Sequence, residues 1–188
     1  MMIEYKSLRI FAFSDTHGLH RNLSVPCNLD VAICAGDVES GFGLESLRKF
    51  AQWYETVPAP LRFFVIGNHD LSFEFEPLQA KEILQRHHIY LLENNAVVFG
   101  GVCFSSIPAR PWLHQTMVIA PNTDFLITHG PALEALDAGL GCALLRQAIV
   151  DVPPRYHLFG HIHQLGGNEM RKNGVIYANV SAYHSLFP

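Results

Sequence analysis

Five short apolar runs constrain this chain more than any other feature, because each ends directly in a cluster of Asp, His or Asn. The runs are LRIFAF at 8–13, DVAICAG at 30–36, RFFVIG at 62–67, DFLITHG at 124–130 and RYHLFG at 155–160. The clusters that close them read SDTHG, GD, GNHD, THG and GHIH. Runs of this length, rich in Val, Ile, Leu and Phe, predict strands buried on both faces. Helical spacing lies between several of them, so strand and helix alternate and the chain reads as an α/β layered fold with largely parallel central strands. In open α/β sheets ligands bind at the carboxyl ends of the strands. Five such ends on one rim would bring the polar clusters together.

The rest of the chain fits around that frame. Leu44, Leu47, Phe50 and Tyr54 share one helical face, with Glu45 and Lys49 spaced to pair on the other. A second helix is predicted from Pro77 through Leu78, Ile83 and Leu84 to His87, and a third over Leu144 to Ile149. NAVVFGGVCFSS at 95–106 carries Gly100-Gly101 between two β-rich halves and predicts a hairpin. VIYANVSAY at 175–183 reads as one more strand or two, and 105–122, with Pro108, Pro111 and Pro121, as the longest irregular stretch.

A length of 188 residues makes one domain over 1–188 the expectation. The mix of 49% apolar and 16% charged residues points to a sizeable core. A net charge of -4 argues against a nucleic-acid partner, which calls for clustered Lys and Arg. The four cysteines form no CxxC pair, and Cys34 and Cys103 lie in apolar runs, so reduced core thiols are expected. The first apolar run breaks at Ser14 and Asp15, too early for a signal peptide, and no stretch is long enough to span a bilayer. We expect a cytoplasmic protein with no membrane partner; its oligomeric state is open.

Singly, Asp15 or Asn68 reads as a turn residue, and each histidine as a core or capping residue. Seven such residues at successive strand ends argue for a shared purpose. Oxygen donors from Asp15, Asp37 and Asn68, with imidazoles from His17, His129, His161 and His163, suit Mn, Fe, Zn or Mg. One tetrahedral site needs about four ligands, so seven divide naturally between two ions that share a carboxylate.

The order D-x-H, GD, GNHD, THG and GHxH resembles the calcineurin-like metallophosphoesterase superfamily, from Asp15 to His163. ICAGD, IGNHDLSF, LITHGP, GCALLR and HLFGHIH are more similar to the small metallophosphoesterases related to mammalian brain and fetal-brain members. The resemblance implies two facing mixed β-sheets flanked by helices, a four-layer αββα sandwich. It implies that Asp15, His17 and His163 bind one divalent metal ion, that Asn68, His129 and His161 bind a second, and that Asp37 bridges them, with manganese the expected metal. A hydroxide held between the ions would attack phosphorus and His69 would protonate the leaving oxygen. Asp70 is open to two readings, orienting His69 or capping a turn. Where the superfamily often places a further Asp three residues after the bridging one, this chain has Ser40, which leaves His69 without that partner.

Arg110 and Trp112, in the proline-bracketed loop, are candidate substrate contacts, and His20 and His114 weaker ones. The nearest resemblance implies phosphodiester hydrolysis on small diesters or cyclic nucleotides. Phosphomonoester hydrolysis is one alternative. A binding module that keeps the fold without catalysis is another, although such a module would be expected to lose ligands that this chain retains.

Overall fold

A computed structural model describes residues 1–187. The elements run β1 Met2–Tyr5, β2 Leu8–Phe13, β3 Val31–Cys34, α1 Leu44–Tyr54, β4 Leu61–Phe64, α2 Ser72–Phe75, α3 Pro77–Arg86, β5 Tyr90–Leu91, β6 Asn95–Phe99, β7 Val102–Ser106, β8 Phe125–Ile127, α4 Ala143–Asp151, β9 Tyr156–Phe159, β10 Glu169–Lys172, β11 Val175–Asn179 and α5 Tyr183–Leu186. They build two mixed sheets. One has the order β1-β2-β3-β4-β5, parallel from β2 to β5; the other has β10-β11-β9-β8-β7-β6, parallel from β11 to β7.

The five apolar runs are the inner strands β2, β3, β4, β8 and β9, as expected. Period-two alternation gives each two buried faces. Ile10, Ala12, Val31, Ile33 and Phe63 of the first sheet meet Val102, Phe104, Phe125, Ile127 and Leu158 of the second in one shared core. The Phe63 and Phe104 rings cross the gap with centroids 5.2 Å apart. The opposite faces carry helices. Phe11, Phe13, Ala32, Cys34 and Phe64 pack under α1 and α3, whose Leu47, Phe50, Tyr54, Ala80 and Leu84 turn inward. Leu126, Phe159 and Tyr177 pack under Leu145 and Ile149 of α4. The layers therefore stack helix, sheet, sheet, helix.

Hairpins close the sheet edges. Gly100-Gly101 turns β6 into β7 with both φ positive, at 56° and 71°, as a two-residue primed turn requires. Lys6-Ser7 and Asn173-Gly174 do the same for β1–β2 and β10–β11. The segment 175–183 holds one strand rather than two: after β11 the chain makes a single bridge from Ser181 to Ser14 and enters the short α5. That bridge ties the second sheet to the end of β2, where the polar clusters lie.

Candidate metal centre

The turns after β2, β3 and β4 nest tightly. Asp15 donates its N–H to the Gly36 carbonyl at 2.9 Å, and His17 to the Asp37 carbonyl at 3.1 Å. Gly36 has φ of +91°, and a Cβ there would come within 2.5 Å of the Gly67 nitrogen, so only glycine lets the second and third turns approach so closely. Asp15, His17, Asp37 and His161 all have positive φ, from 41° to 65°. Non-glycine residues in this region store strain of order 1–3 kcal/mol each, and such strain concentrates at functional sites.

This packing gathers the predicted ligands into two groups. Asp15, His17 and His163 form one, and Asp37, His129 and His161 the other; within each the donor atoms all lie within 4.8 Å of one another. Asp37 stands between them, its Oδ2 3.2 Å from His129 Nε2 and 4.0 Å from His17 Nε2. The second group is the deeper: His129 is fully buried, whereas the His163 side chain is 31% exposed. The loops also lock across the sheets. The His161 N–H reaches both Asp15 oxygens at 3.2 Å, and His129 Nδ1 donates to the Ala35 carbonyl at 2.8 Å. With Nδ1 committed to that carbonyl, Nε2 is the ring atom aimed at the centre, an arrangement typical of metal-ligating histidine.

Three atoms test whether a cation fits. Asp37 Oδ2, His129 Nε2 and Asn68 Oδ1 are buried without a hydrogen-bond partner among the described residues. A buried polar atom left unpaired costs about 1–3 kcal/mol, and all three are donors a divalent ion accepts. The residues present therefore fit a metal ion.

Electrostatics agree with that fit. Burial by itself would raise the Asp15 carboxyl, but the His163 hydrogen bond, the His129 charge and the Ser14 hydroxyl at 2.5 Å hold it below its ordinary value. Burial opposes ionisation of Asp37 too, and is outweighed by His129 and by the His69 N–H donated at 2.8 Å, so its pKa also falls. Burial would lower His129, yet facing Asp37 raises it to about 9. His17 and His161 are lowered chiefly by burial, which favours the neutral imidazole that binds metal.

The family model described as calcineurin-like phosphoesterase matches residues 8–165. The chain belongs to this family. Metallophosphoesterase domain-containing protein 1 of human and of mouse is 31% identical over 217 aligned residues, covering 92% of this chain and 65% of the relative. A UPF0046 protein of Caenorhabditis elegans is 31% identical, covering 85% and 65%. The chain thus spans 65% of the length of these relatives. One solved structure, 12% identical, superposes with a TM-score of 0.66 over 90% of this chain and 89% of its own, which shows the fold.

In this member of the calcineurin-like phosphoesterase family the other predicted site residues are dispersed. His69 is exposed, its ring 5.4 Å from that of His17. Asp70 does not orient it. The Asp70 carboxylate accepts N–H groups from Gly67 at 2.7 Å, Asp37 at 2.9 Å, Val38 at 2.8 Å and Glu39 at 3.4 Å, so it clasps two ligand loops and the capping alternative fits. Ser40 pairs with Ser46 rather than with His69. Arg110 is ion-paired with Glu93, and Trp112 donates its indole N–H to the Leu140 carbonyl at 2.8 Å. His20 is buried against Phe50 and Trp53. Sequence reasoning missed Tyr183 and Phe187, whose rings stack at the first ligand group. Their four-residue spacing was the available signal; Tyr183 ended a segment that read as strand, and Phe187 lay beyond it.

Proposed function

We propose that the protein is a metal-dependent phosphoesterase that hydrolyses small phosphodiesters, with two divalent ions, manganese first among them, as cofactors. Asp15, His17 and His163 would hold one ion, Asn68, His129 and His161 the other, and Asp37 would bridge. The observation that carries this reading is the Asp37 carboxylate, set between two ligand groups with its Oδ2 buried and unpartnered. Bound there, divalent ions supply Lewis acidity toward phosphoryl oxygens and lower the pKa of water enough to ionise it near neutral pH.

The chain's own residues supply the rest. The exposed His69 imidazole stands beside His17 on the open side of the centre, where it can pass a proton to a departing ester oxygen. The His69 backbone N–H, donated to Asp37 Oδ1, ties the residue to the bridging carboxylate. Asp70 holds the Asp37 and Gly67 turns in register, so the ligands are positioned before any ion arrives. The net charge of -4 favours a small substrate over a polynucleotide.

Metal-stripped protein assayed on bis-p-nitrophenyl phosphate and p-nitrophenyl phosphate, with manganese added back, tests the reading. Manganese-dependent turnover that is faster on the diester and abolished in Asp37→Ala is the expected result. His69→Ala should lower kcat by roughly 10²- to 10⁴-fold while still binding manganese. Faster turnover of the monoester would make the enzyme a phosphomonoesterase. No turnover with any divalent ion would leave a binding module.

A further inference from the structure

One histidine of the deeper group, His129, is oriented by a means that the first group lacks. In the deeper group a backbone carbonyl holds the His129 ring through Nδ1. Among the described residues neither His17 nor His163 has such a backbone bond; their recorded polar approaches are to Asp37 and Asp15. An aromatic stack occupies that place instead. The Tyr183 ring lies on His163 with centroids 3.9 Å apart and planes 12° apart, and Phe187 covers the opposite face of Tyr183 at 4.5 Å and 18°. His17 meets the same stack edge-on, 5.8 Å from Tyr183 and 6.4 Å from Phe187, and meets His163 at 5.4 Å.

The stack is anchored to the ligand loop itself. Ser181 bridges Ser14, the residue before Asp15, and the Ala182 N–H donates to the Ser14 carbonyl at 3.0 Å. The helix that carries Tyr183 therefore starts from the turn that presents Asp15 and His17. Aromatic pairs at these separations contribute about 0.5–1.5 kcal/mol beyond the area they bury. For a half-exposed imidazole that is enough to select one ring orientation from several.

We propose that Tyr183 and Phe187 are positioning residues for the first ion: by clamping the His163 ring and edging that of His17, they tune metal affinity at the Asp15–His17–His163 site and leave the Asp37–His129–His161 site untouched. This rests on the two-ion reading above. It requires a flat ring at 183 and does not require the phenol hydroxyl.

Calorimetric titration of the metal-stripped full chain with manganese chloride tests it without relying on activity. Wild type should take up two ions. Tyr183→Ala should keep one ion at wild-type affinity and bind the other roughly 10- to 100-fold more weakly, with Phe187→Ala weakened less and Tyr183→Phe like wild type. Thermal melting of each metal-free variant accompanies the titration, and a melt close to wild type is expected. Two ions bound by Tyr183→Ala at wild-type affinity would overturn the inference alone, as would equal weakening at both sites. No manganese uptake by wild type would overturn the two-ion reading and this inference with it.

Discussion

Four backbone N–H groups from two turns end on the carboxylate of Asp70. The residue is buried, and burial together with neighbouring Asp37 raises its pKa to about 6, so the fold tolerates an unfavourable charge there for the bonds it makes. Asp70→Ala would leave those donors without their acceptor, at a cost of about 1–3 kcal/mol for each one left unpaired. The expected outcome is a loss of several kcal/mol in urea unfolding, with weaker metal binding because the Asp37 turn loosens. Unfolding and metal affinity like wild type would show that the clasp is dispensable. The sequence left Asp70 open between orienting His69 and capping a turn, and could not show which backbone groups it would cap. Asp70 follows His69 in GNHD, which suggested a role toward its neighbour, whereas backbone geometry turns its side chain back toward the preceding turn. The seven ligand candidates were legible for the opposite reason: each follows a buried run directly, so strand direction alone carries it to the shared rim.

Helix α1 shows how the elements support that rim. Leu47, Phe50, Ala51 and Tyr54 are buried against the first sheet, while Glu45 and Lys49 pair at 3.6 Å on the solvent side. Leu47→Ala should destabilise the protein by about 2–5 kcal/mol. Leu78→Ala on α3, at a residue 75% exposed, should change stability by no more than about 0.5 kcal/mol. Equal effects in chemical denaturation would contradict the layer assignment. The inner strands and α1, α3 and α4 were readable because they bury long, periodic apolar surface. β1 and β10 were not: they are edge strands, and MIEY and EMRK expose alternate residues and pair on one side only. β5 has two residues, too few for any period. The aromatic stack escaped because Tyr183 follows a real strand without punctuation and read as its continuation, while Phe187 lies beyond the stretch read as strand.

Across the whole molecule, the charges of the centre make the metal-free protein sensitive to pH. Burial and then Asp70 raise Glu39 from 4.5 to about 7, and Asp70 itself rises from 3.8 to about 6. Between the unfolded and folded values these groups bind more protons in the native state than in the unfolded state, so the stability they contribute falls as pH rises through this window. His129, raised from 6.5 to about 9 by Asp37, contributes stability that is complete below 6.5 and lost as pH climbs toward 9. His17, His20, His157 and His161 and the Met1 amino group, lowered by burial, act in the opposite sense up to their ordinary values of 6.5 and 8.0. Glu39→Gln, which removes a falling contribution, should therefore make the slope of melting temperature against pH more positive between pH 5 and pH 7, while the melting temperature of metal-free wild type should fall from pH 8 to pH 9. A wild-type profile that rises from pH 8 to pH 9 would contradict the electrostatic account. The central claim is that two ions lie where five strand ends meet, and the most direct measurement is anomalous diffraction at the manganese edge from crystals grown with manganese. The account predicts two peaks, one among Asp15, His17 and His163 and one among Asn68, His129 and His161, with Asp37 touching both; a single peak, or none within reach of Asp37, would contradict it.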